Sequence, residues 1–276
     1  RSSSRSRSRA TSMPRTLWSV SDLHVTWPAN RERTERLRPA DPGDWLIVAG
    51  DVAERIDVVV DTLARLRRRF ARVIWTPGNH ELFSRGADRF KGRERYFRLV
   101  ELLREVGVDT PEDDYPVFGD VTVAPLFTLY DYSFRPPGLS VPEALEGARN
   151  ARAMLDDELF IAPYVDIPAW CAERVAYSRG RLSSIEGPTL LVNHWPLVVE
   201  PTLRLAKQEM ALWCGTAATR DLPVEHDAVG VIHGHLHMPE EIRVDGVPHF
   251  DVSLGYPFEQ ERMPRRAWPL PALKIR

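Results

Sequence analysis

Asp44-Trp45-Leu46-Ile47-Val48-Ala49-Gly50-Asp51 is the stretch that decides the fold. Its apolar core has no polar alternation, so both faces of the strand must be buried, as in a parallel sheet covered by helices. The run stops abruptly on a glycine and a carboxylate. Just beyond it, Val59, Val60, Leu63, Leu66 and Phe70 recur at the spacing of one helical face and predict a helix over 57–70. Ala71-Arg72-Val73-Ile74-Trp75 then repeats the strand and ends at Pro77-Gly78-Asn79-His80-Glu81. Strand, helix and strand joined by short turns predict parallel βαβ units, in which ligands bind beyond the carboxyl ends of the strands.

Working outward, the pattern recurs on both sides. Thr16-Leu17-Trp18-Ser19-Val20 stops at Ser21-Asp22-Leu23-His24. Thr189-Leu190-Leu191-Val192 stops at Asn193-His194-Trp195-Pro196, and Ala228-Val229-Gly230-Val231-Ile232 at His233-Gly234-His235-Leu236-His237. A hairpin is expected over 242–252, turning at Asp245-Gly246. The intervening region is less regular, with helices expected over 93–106, 141–159 and 168–184 and a strand pair over 115–127. Residues 126–137 end in Pro136-Pro137 and read as a surface loop. The domain expectation is an Arg/Ser-rich tail over 1–14 and one domain over 15–276, with a cap segment over 84–184.

A chain of 276 residues with 43% hydrophobic content can bury a full core. Its 37 basic and 39 acidic groups leave a net charge of −2, so no global field marks a nucleic-acid or membrane-surface protein. The tail, with Arg1, Arg5, Arg7 and Arg9 among serines, reads as a disordered end, with RNA binding as the alternative. No apolar run reaches the roughly 18 residues of a membrane span, and no secretory segment leads the chain, so a cytoplasmic protein without membrane partners is expected. Cys171 and Cys214 form no CxxC pair and read as reduced core thiols.

The strand ends together carry Asp22, His24, Asp51, Asn79, His80, His194, His235 and His237. Each motif alone reads equally as a turn with a surface imidazole or an Asp cap. His235 and His237 put both rings on one face if the chain is extended there. Their coincidence at one sheet edge points instead to one site. Imidazole and carboxylate suit Mn, Fe or Zn, and the lack of thiolate argues against a structural zinc knuckle. Two metals roughly 3.5 to 4 Å apart need a bridging carboxylate and can hold a hydroxide for in-line attack on phosphorus. Asp51 is the natural bridge.

Asp22-Leu23-His24, Gly50-Asp51-Val52-Ala53-Glu54, Gly78-Asn79-His80-Glu81, Asn193-His194-Trp195-Pro196 and Gly234-His235-Leu236-His237 resemble, in order and separation, the motifs of the calcineurin-like metallophosphoesterases. Trp213-Cys214-Gly215-Thr216 resembles a bacterial-type pattern within that family. The resemblance implies a four-layer α/β/β/α sandwich of two mixed β-sheets flanked by helices. One metal would take Asp22, His24, Asp51 and His237, the other Asp51, Asn79, His194 and His235. It also implies that His80 binds no metal but faces the phosphate, stabilises charge and protonates the leaving alkoxide. An acidic residue is expected to orient the His80 ring, with Glu81 the candidate and a solvated carboxylate the alternative for it, and Glu54 is read as structural.

For the substrate the sequence offers less. Tyr132 and Arg135 are the candidates for substrate binding, with an aromatic cluster and a surface ion pair as the alternative. Arg85, Arg89, Lys91 and Arg93 could attract an anion or simply start a solvated helix. The expected activity is phosphatase or phosphodiesterase action on a small phosphorylated metabolite or nucleotide. Alternatives are a nuclease or protein phosphatase, and, from another class, a metal-binding scaffold or an RNA-associated factor.

Overall fold

The computed structural model of the protein describes residues 15–262 and 266–275. The chain runs through β1 (Arg15–Val20), α1 (Pro28–Glu35), β2 (Trp45–Val48), α2 (Ile56–Arg67), β3 (Arg72–Trp75), the short α3 (Asn79–Leu82) and α4 (Gly92–Glu105). There follow β4 (Val117–Phe118), β5 (Val121–Pro125), α5 (Val141–Asn150), α6 (Asp157–Phe160), α7 (Ile167–Leu182) and β6 (Thr189–Val192). The last elements are α8 (Leu222–Glu225), β7 (Ala228–His233), β8 (Glu241–Val244), β9 (Val247–Asp251), α9 (Pro257–Gln260) and β10 (Leu270–Ile275). The Arg/Ser tail lies outside the described residues.

The strands form two mixed sheets, one in the order β10-β1-β2-β3 and one in the order β4-β5-β6-β7-β9-β8. Alternation along each strand splits its side chains between two cores. Leu17, Ile47, Ala49 and Ile74 of the first sheet meet Val123, Leu190, Val192 and Ile232 of the second in a dry layer between them. The intervening residues Leu46, Val48, Val73 and Trp75 face outward onto Val59, Leu63 and Leu66 of α2 and Tyr96, Leu99 and Leu103 of α4. Ala124, Leu191 and Val231 face the opposite way, onto Leu182 of α7 and Leu222 of α8. Burial on both faces is why these strands read as unbroken apolar runs. The two mixed sheets flanked by helices are the sandwich the resemblance implied.

Asp44 fixes the start of this arrangement. Its carboxylate accepts from the Thr16 amide at 2.7 Å, the Trp18 indole at 2.8 Å and the Ala40 and Asp41 amides at 2.9 and 3.1 Å, which ties β1 to the turn before β2.

Two expectations need correction. The single helix over 141–159 is two pieces: α5 ends at Asn150, Arg152 adopts a left-handed φ of 52°, and the chain restarts at Asp157. The stretch 84–184 is also more than a lid, because β4 and β5 within it belong to the six-stranded sheet. Both cysteines are free and buried. No helix among the described residues is long and apolar enough to cross a membrane.

Candidate metal centre

The carboxyl ends of β1, β2, β3, β6 and β7 converge, and the loops there are laced by main-chain hydrogen bonds. The Asp22 amide donates to Gly50 O at 3.0 Å, His24 N to Asp51 O at 3.0 Å, and Gly234 N to His194 O at 3.0 Å. This lattice holds the backbone in an uncommon shape. Asp22, His24, Asp51, His235 and His237 all have left-handed φ, between 41° and 71°. Such a conformation costs a side-chain-bearing residue on the order of 1–2 kcal/mol, and its concentration at one place marks a functional site.

Two glycines allow the loops to close this tightly. A Cβ on Gly78 would fall 2.1 Å from Asp51 Oδ1, and one on Gly234 would fall 2.0 Å from Ser21 Oγ and 2.3 Å from Asp22 Oδ2.

Seven candidate ligands converge as two donor sets. In the first, His237 Nε2 lies 3.0 Å from Asp22 Oδ1 and 3.2 Å from His24 Nε2, which is itself 3.9 Å from Asp51 Oδ2. In the second, Asn79 Oδ1 lies 3.2 Å from His194 Nε2 and 3.1 Å from His235 Nδ1, and His194 Nε2 is 3.4 Å from Asp51 Oδ2. Asp51 Oδ2 stands between the sets. Donors bonded at about 2.0–2.1 Å to one ion sit about 3.0–3.4 Å apart along the edges of its coordination shell, so these separations fit a metal. The lone pairs also point the right way. His194 gives its Nδ1 proton to Ala49 O at 2.8 Å and His237 gives its own to Glu259 Oε2 at 2.7 Å, leaving each Nε2 free toward the centre. Each aspartate spends one oxygen on a main-chain amide, Asp51 Oδ1 on His80 N at 2.9 Å and Asp22 Oδ2 on His235 N at 3.0 Å. The other oxygen is thereby aimed inward.

The two buried carboxylates also set the charge balance of the cluster. Burial works against charge on Asp22 and Asp51, yet the surrounding imidazoles hold both carboxyls below the usual carboxylate range. Burial, then the neighbouring His80, pushes the His24 imidazole down to about 3; burial, then His194, does the same to His235, also to about 3. At His194 burial is overcome by Asp51, which raises that imidazole to about 9. Two buried carboxylates therefore require compensating positive charge, from protons on some of the rings or from ions.

His80 lies beside the two sets, close enough to group with His24 and Asp51 as a third cluster of donor atoms, but its other ring nitrogen is held by a carboxylate. Its Nδ1 lies 2.9 Å from Glu54 Oε1, while Thr26 Oγ1 donates to Glu54 Oε2 at 2.7 Å. Its Nε2 faces the centre, 3.8 Å from Asp51 Oδ2. Burial lowers its proton affinity, but Asp51 and the Glu54 hydrogen bond prevail and raise it to about 9. Glu54 is held down to about 2, chiefly by that hydrogen bond.

The partner of His80 expected from the sequence was Glu81, and the structure corrects this. Glu81 is fully buried and accepts from Asp51 N at 2.9 Å, Val52 N at 2.7 Å and Gly78 N at 2.8 Å, so it staples two ligand loops together and is turned away from the ring. Tyr132 and Arg135 are not brought to the centre. The Tyr132 hydroxyl donates to Glu158 at 2.9 Å, and the Arg135 guanidinium is spent on Leu139 O and Tyr132 O at the edge of a pocket that includes Phe134, Val198 and Leu203.

Three further residues carry no motif. Asp157 accepts the Asn79 amide at 2.9 Å and so turns Asn79 Oδ1 toward the centre. Glu259 fixes His237. Tyr256 stacks on His24 at 4.4 Å, with its hydroxyl 3.4 Å from His80 Nε2. Only Tyr256 left a trace in the sequence, in the Gly255-Tyr256-Pro257 turn that closes the last parallel strand.

A sandwich with an Asp/His/Asn donor cluster at the strand ends defines a metal-binding phosphoesterase, and residues 15–239 match the calcineurin-like phosphoesterase family. The chain belongs to that family and is a hydrolase. It is 46% identical over 264 residues to [Acyl-carrier-protein] phosphodiesterase PptH of Mycobacterium tuberculosis, covering 92% of this chain and 82% of that protein. The crystal structure of phosphopantetheinyl hydrolase (PptH) from the same organism superposes with a TM-score of 0.90 at 45% identity, covering 94% of this chain and 96% of that one.

Proposed function

We propose that the chain hydrolyses the phosphodiester joining a phosphopantetheine arm to an acyl carrier protein, at a centre of two metal ions. The observation that carries this is the donor cluster on either side of Asp51, whose Oδ2 lies 3.9 Å from His24 and 3.4 Å from His194, in a chain 46% identical to the M. tuberculosis carrier-protein phosphodiesterase over 92% of its length. A group mounted on a protein thus replaces the free small metabolite expected from the sequence.

In this reading Asp22, His24, Asp51 and His237 hold one ion, and Asp51, Asn79, His194 and His235 hold the other. Nitrogen and oxygen donors of this kind accept Mn, Fe or Zn. When bound, such ions supply Lewis-acid charge at the phosphoryl oxygens and a nucleophile at neutral pH. The remaining work falls to the chain. The His80 N–H donates to Oδ1 of Asp51 and fixes the bridge, and Glu54 accepts a hydrogen bond from Nδ1–H of the His80 imidazolium, so that Nε2–H points at the substrate. From there His80 opposes charge on the phosphoryl group and gives its proton to the departing oxygen. Tyr256 stacks on His24 and Phe83 packs on His80, so that an aromatic ring flanks each of the two imidazoles.

The test is incubation of purified protein with holo-carrier and Mn, followed by mass spectrometry of the carrier. Loss of the arm, abolished by chelation and by Asp51→Asn, is expected. An intact carrier alongside rapid hydrolysis of aryl phosphates would return the enzyme to small substrates. His80→Ala is expected to keep both metals and lose about 10²–10⁴ in turnover; metal loss in that variant would refute its assigned role.

A further inference from the structure

We propose that the rim around His80 is a docking surface for the acidic face of a folded protein that carries the phosphodiester, an inference that rests on the function proposed above. A ladder of rings crosses the centre and surfaces on both sides. On one side Tyr256 stacks on His24 at 4.4 Å and on Phe258 at 5.4 Å, and Trp27 packs edge-on to Phe258 at 6.3 Å. Trp27 is 46% and Phe258 56% exposed. Large aromatic rings left open beside a reactive centre contribute little to the core and are typical anchors of protein interfaces.

On the other side His80 packs on Phe83 at 4.5 Å, Phe83 on Phe160 at 5.3 Å, and the Arg85 guanidinium lies over Phe160 at 5.6 Å. Arg85 begins a seven-residue run that also holds Arg89 and Lys91. Among the described residues no carboxylate pairs with these three cations. Arg89 lies over Phe90 at 5.0 Å and Lys91 over Tyr164 at 5.2 Å, while Arg93 and Arg98 are paired with Glu173 and Glu101. The carboxylates that could offset them are engaged elsewhere. Asp88 accepts the Arg85 amide at 2.7 Å and lies 3.8 Å from Arg95, Glu54 is bonded to His80 and Thr26, and Glu259 is bonded to His237.

The mouth therefore offers apolar anchors on one flank and, on the other, Arg85 without a carboxylate partner, with Arg89 and Lys91 following it in the same run. A free metabolite could be held by the donor cluster alone, with no use for a cation two rings away or for the run it begins. A phosphodiester mounted on a folded protein must rest that protein's body on the rim, and opposite charge there speeds and orients the encounter.

The experiment compares kcat/KM on holo-carrier and on bis-nitrophenyl phosphate for wild type, for the triple reversal Arg85→Glu, Arg89→Glu, Lys91→Glu, and for Trp27→Ala with Phe258→Ala, with melting curves as the folding control. Each variant is expected to lose at least tenfold more on the carrier than on the aryl diester, mainly through KM. The carrier reaction of wild type is expected to fall with ionic strength more steeply than that of the triple reversal. Equal losses on both substrates, or wild-type KM on the carrier, would overturn docking while leaving the function intact. A wild type that cleaves the aryl diester and never the carrier would overturn both. Stronger competition by single-stranded RNA than by apo-carrier would overturn an acidic protein as the occupant.

Discussion

Glu81 and Glu54 make a sharp contrast, because both lie beside His80 and the structure gives them different work. In Glu81→Ala three main-chain N–H groups at Asp51, Val52 and Gly78 lose this acceptor inside a buried loop junction. An unsatisfied buried donor costs about 1–3 kcal/mol, and removing the buried carboxylate returns part of its desolvation penalty, so a net loss of about 3–5 kcal/mol is expected. At roughly 2–4 °C per kcal/mol for a domain of this size, melting should fall by on the order of 10 °C. Glu81→Gln should fall between, because Oε2 serves Asp51 and Gly78 while Oε1 serves Val52, and an amide can satisfy only one side. Glu54 is partly exposed, its side chain at 32%, and Glu54→Ala should shift melting by less than about 3 °C, in keeping with exposed pairs worth under about 1 kcal/mol, while turnover drops because His80 loses its orienting acceptor. The assays are thermal melting in chelator and turnover with added Mn. If Glu81→Ala melts with wild type, or Glu54→Ala melts as early as Glu81→Ala, the division of labour argued here is wrong.

Asp157→Ala should free the Asn79 amide and weaken one ion by about 10–100-fold while leaving the other near wild type, read by metal titration; two ions at wild-type affinity would contradict it. Asp44→Asn should cost about 2–4 kcal/mol through its four donors. At Asp44 burial opposes charge but the hydrogen bonds from Trp18, Thr16, Asp41 and Ala40 prevail, so the folded carboxyl titrates below its ordinary value. Its stabilisation is therefore present above the unfolded value of about 3.9 and lost as pH falls through the lower folded one. The gap in urea midpoint between wild type and Asp44→Asn should stay constant from neutral pH to about 5 and narrow below about 4; a gap that widens on acidification would reverse the sign. Gly234→Ala, whose Cβ would meet Asp22 Oδ2 at 2.3 Å, should displace that carboxylate and abolish metal uptake in calorimetry, whereas an intact uptake would mean the loop can yield.

The elements legible in the sequence were those whose information is local. The strands ending at Asp22, Asp51, Asn79, His194 and His235 announce themselves by short buried runs, and α2 and α4 by one apolar face each, so parallel βαβ units and the ligand-bearing edge could be anticipated, whereas the division into two sheets came only with the family resemblance. What escaped depends on partners far along the chain. Asp157 meets Asn79 across 78 residues and Glu259 meets His237 across 22, and neither sits in a pattern that distinguishes it from a solvated carboxylate. The choice between Glu54 and Glu81 turns on which side chain faces the His80 ring after α3 forms, and sequence adjacency favoured the wrong one. The break after Asn150 was hidden because 141–159 has helical composition throughout, while tertiary demand bends the chain so that Asp157 can reach back.

That reach has a bearing on how such an enzyme could change its preferences. Residues 84–184 read from sequence as a cap, the kind of module that relatives exchange, yet Asp157 grips a candidate ligand, and Arg95, buried in α4, clasps the carbonyls of Glu54 and Glu81. A chimera that imports a foreign segment without these two anchors inherits a damaged centre along with its new specificity. Grafting should therefore succeed only when both anchors travel with the insert.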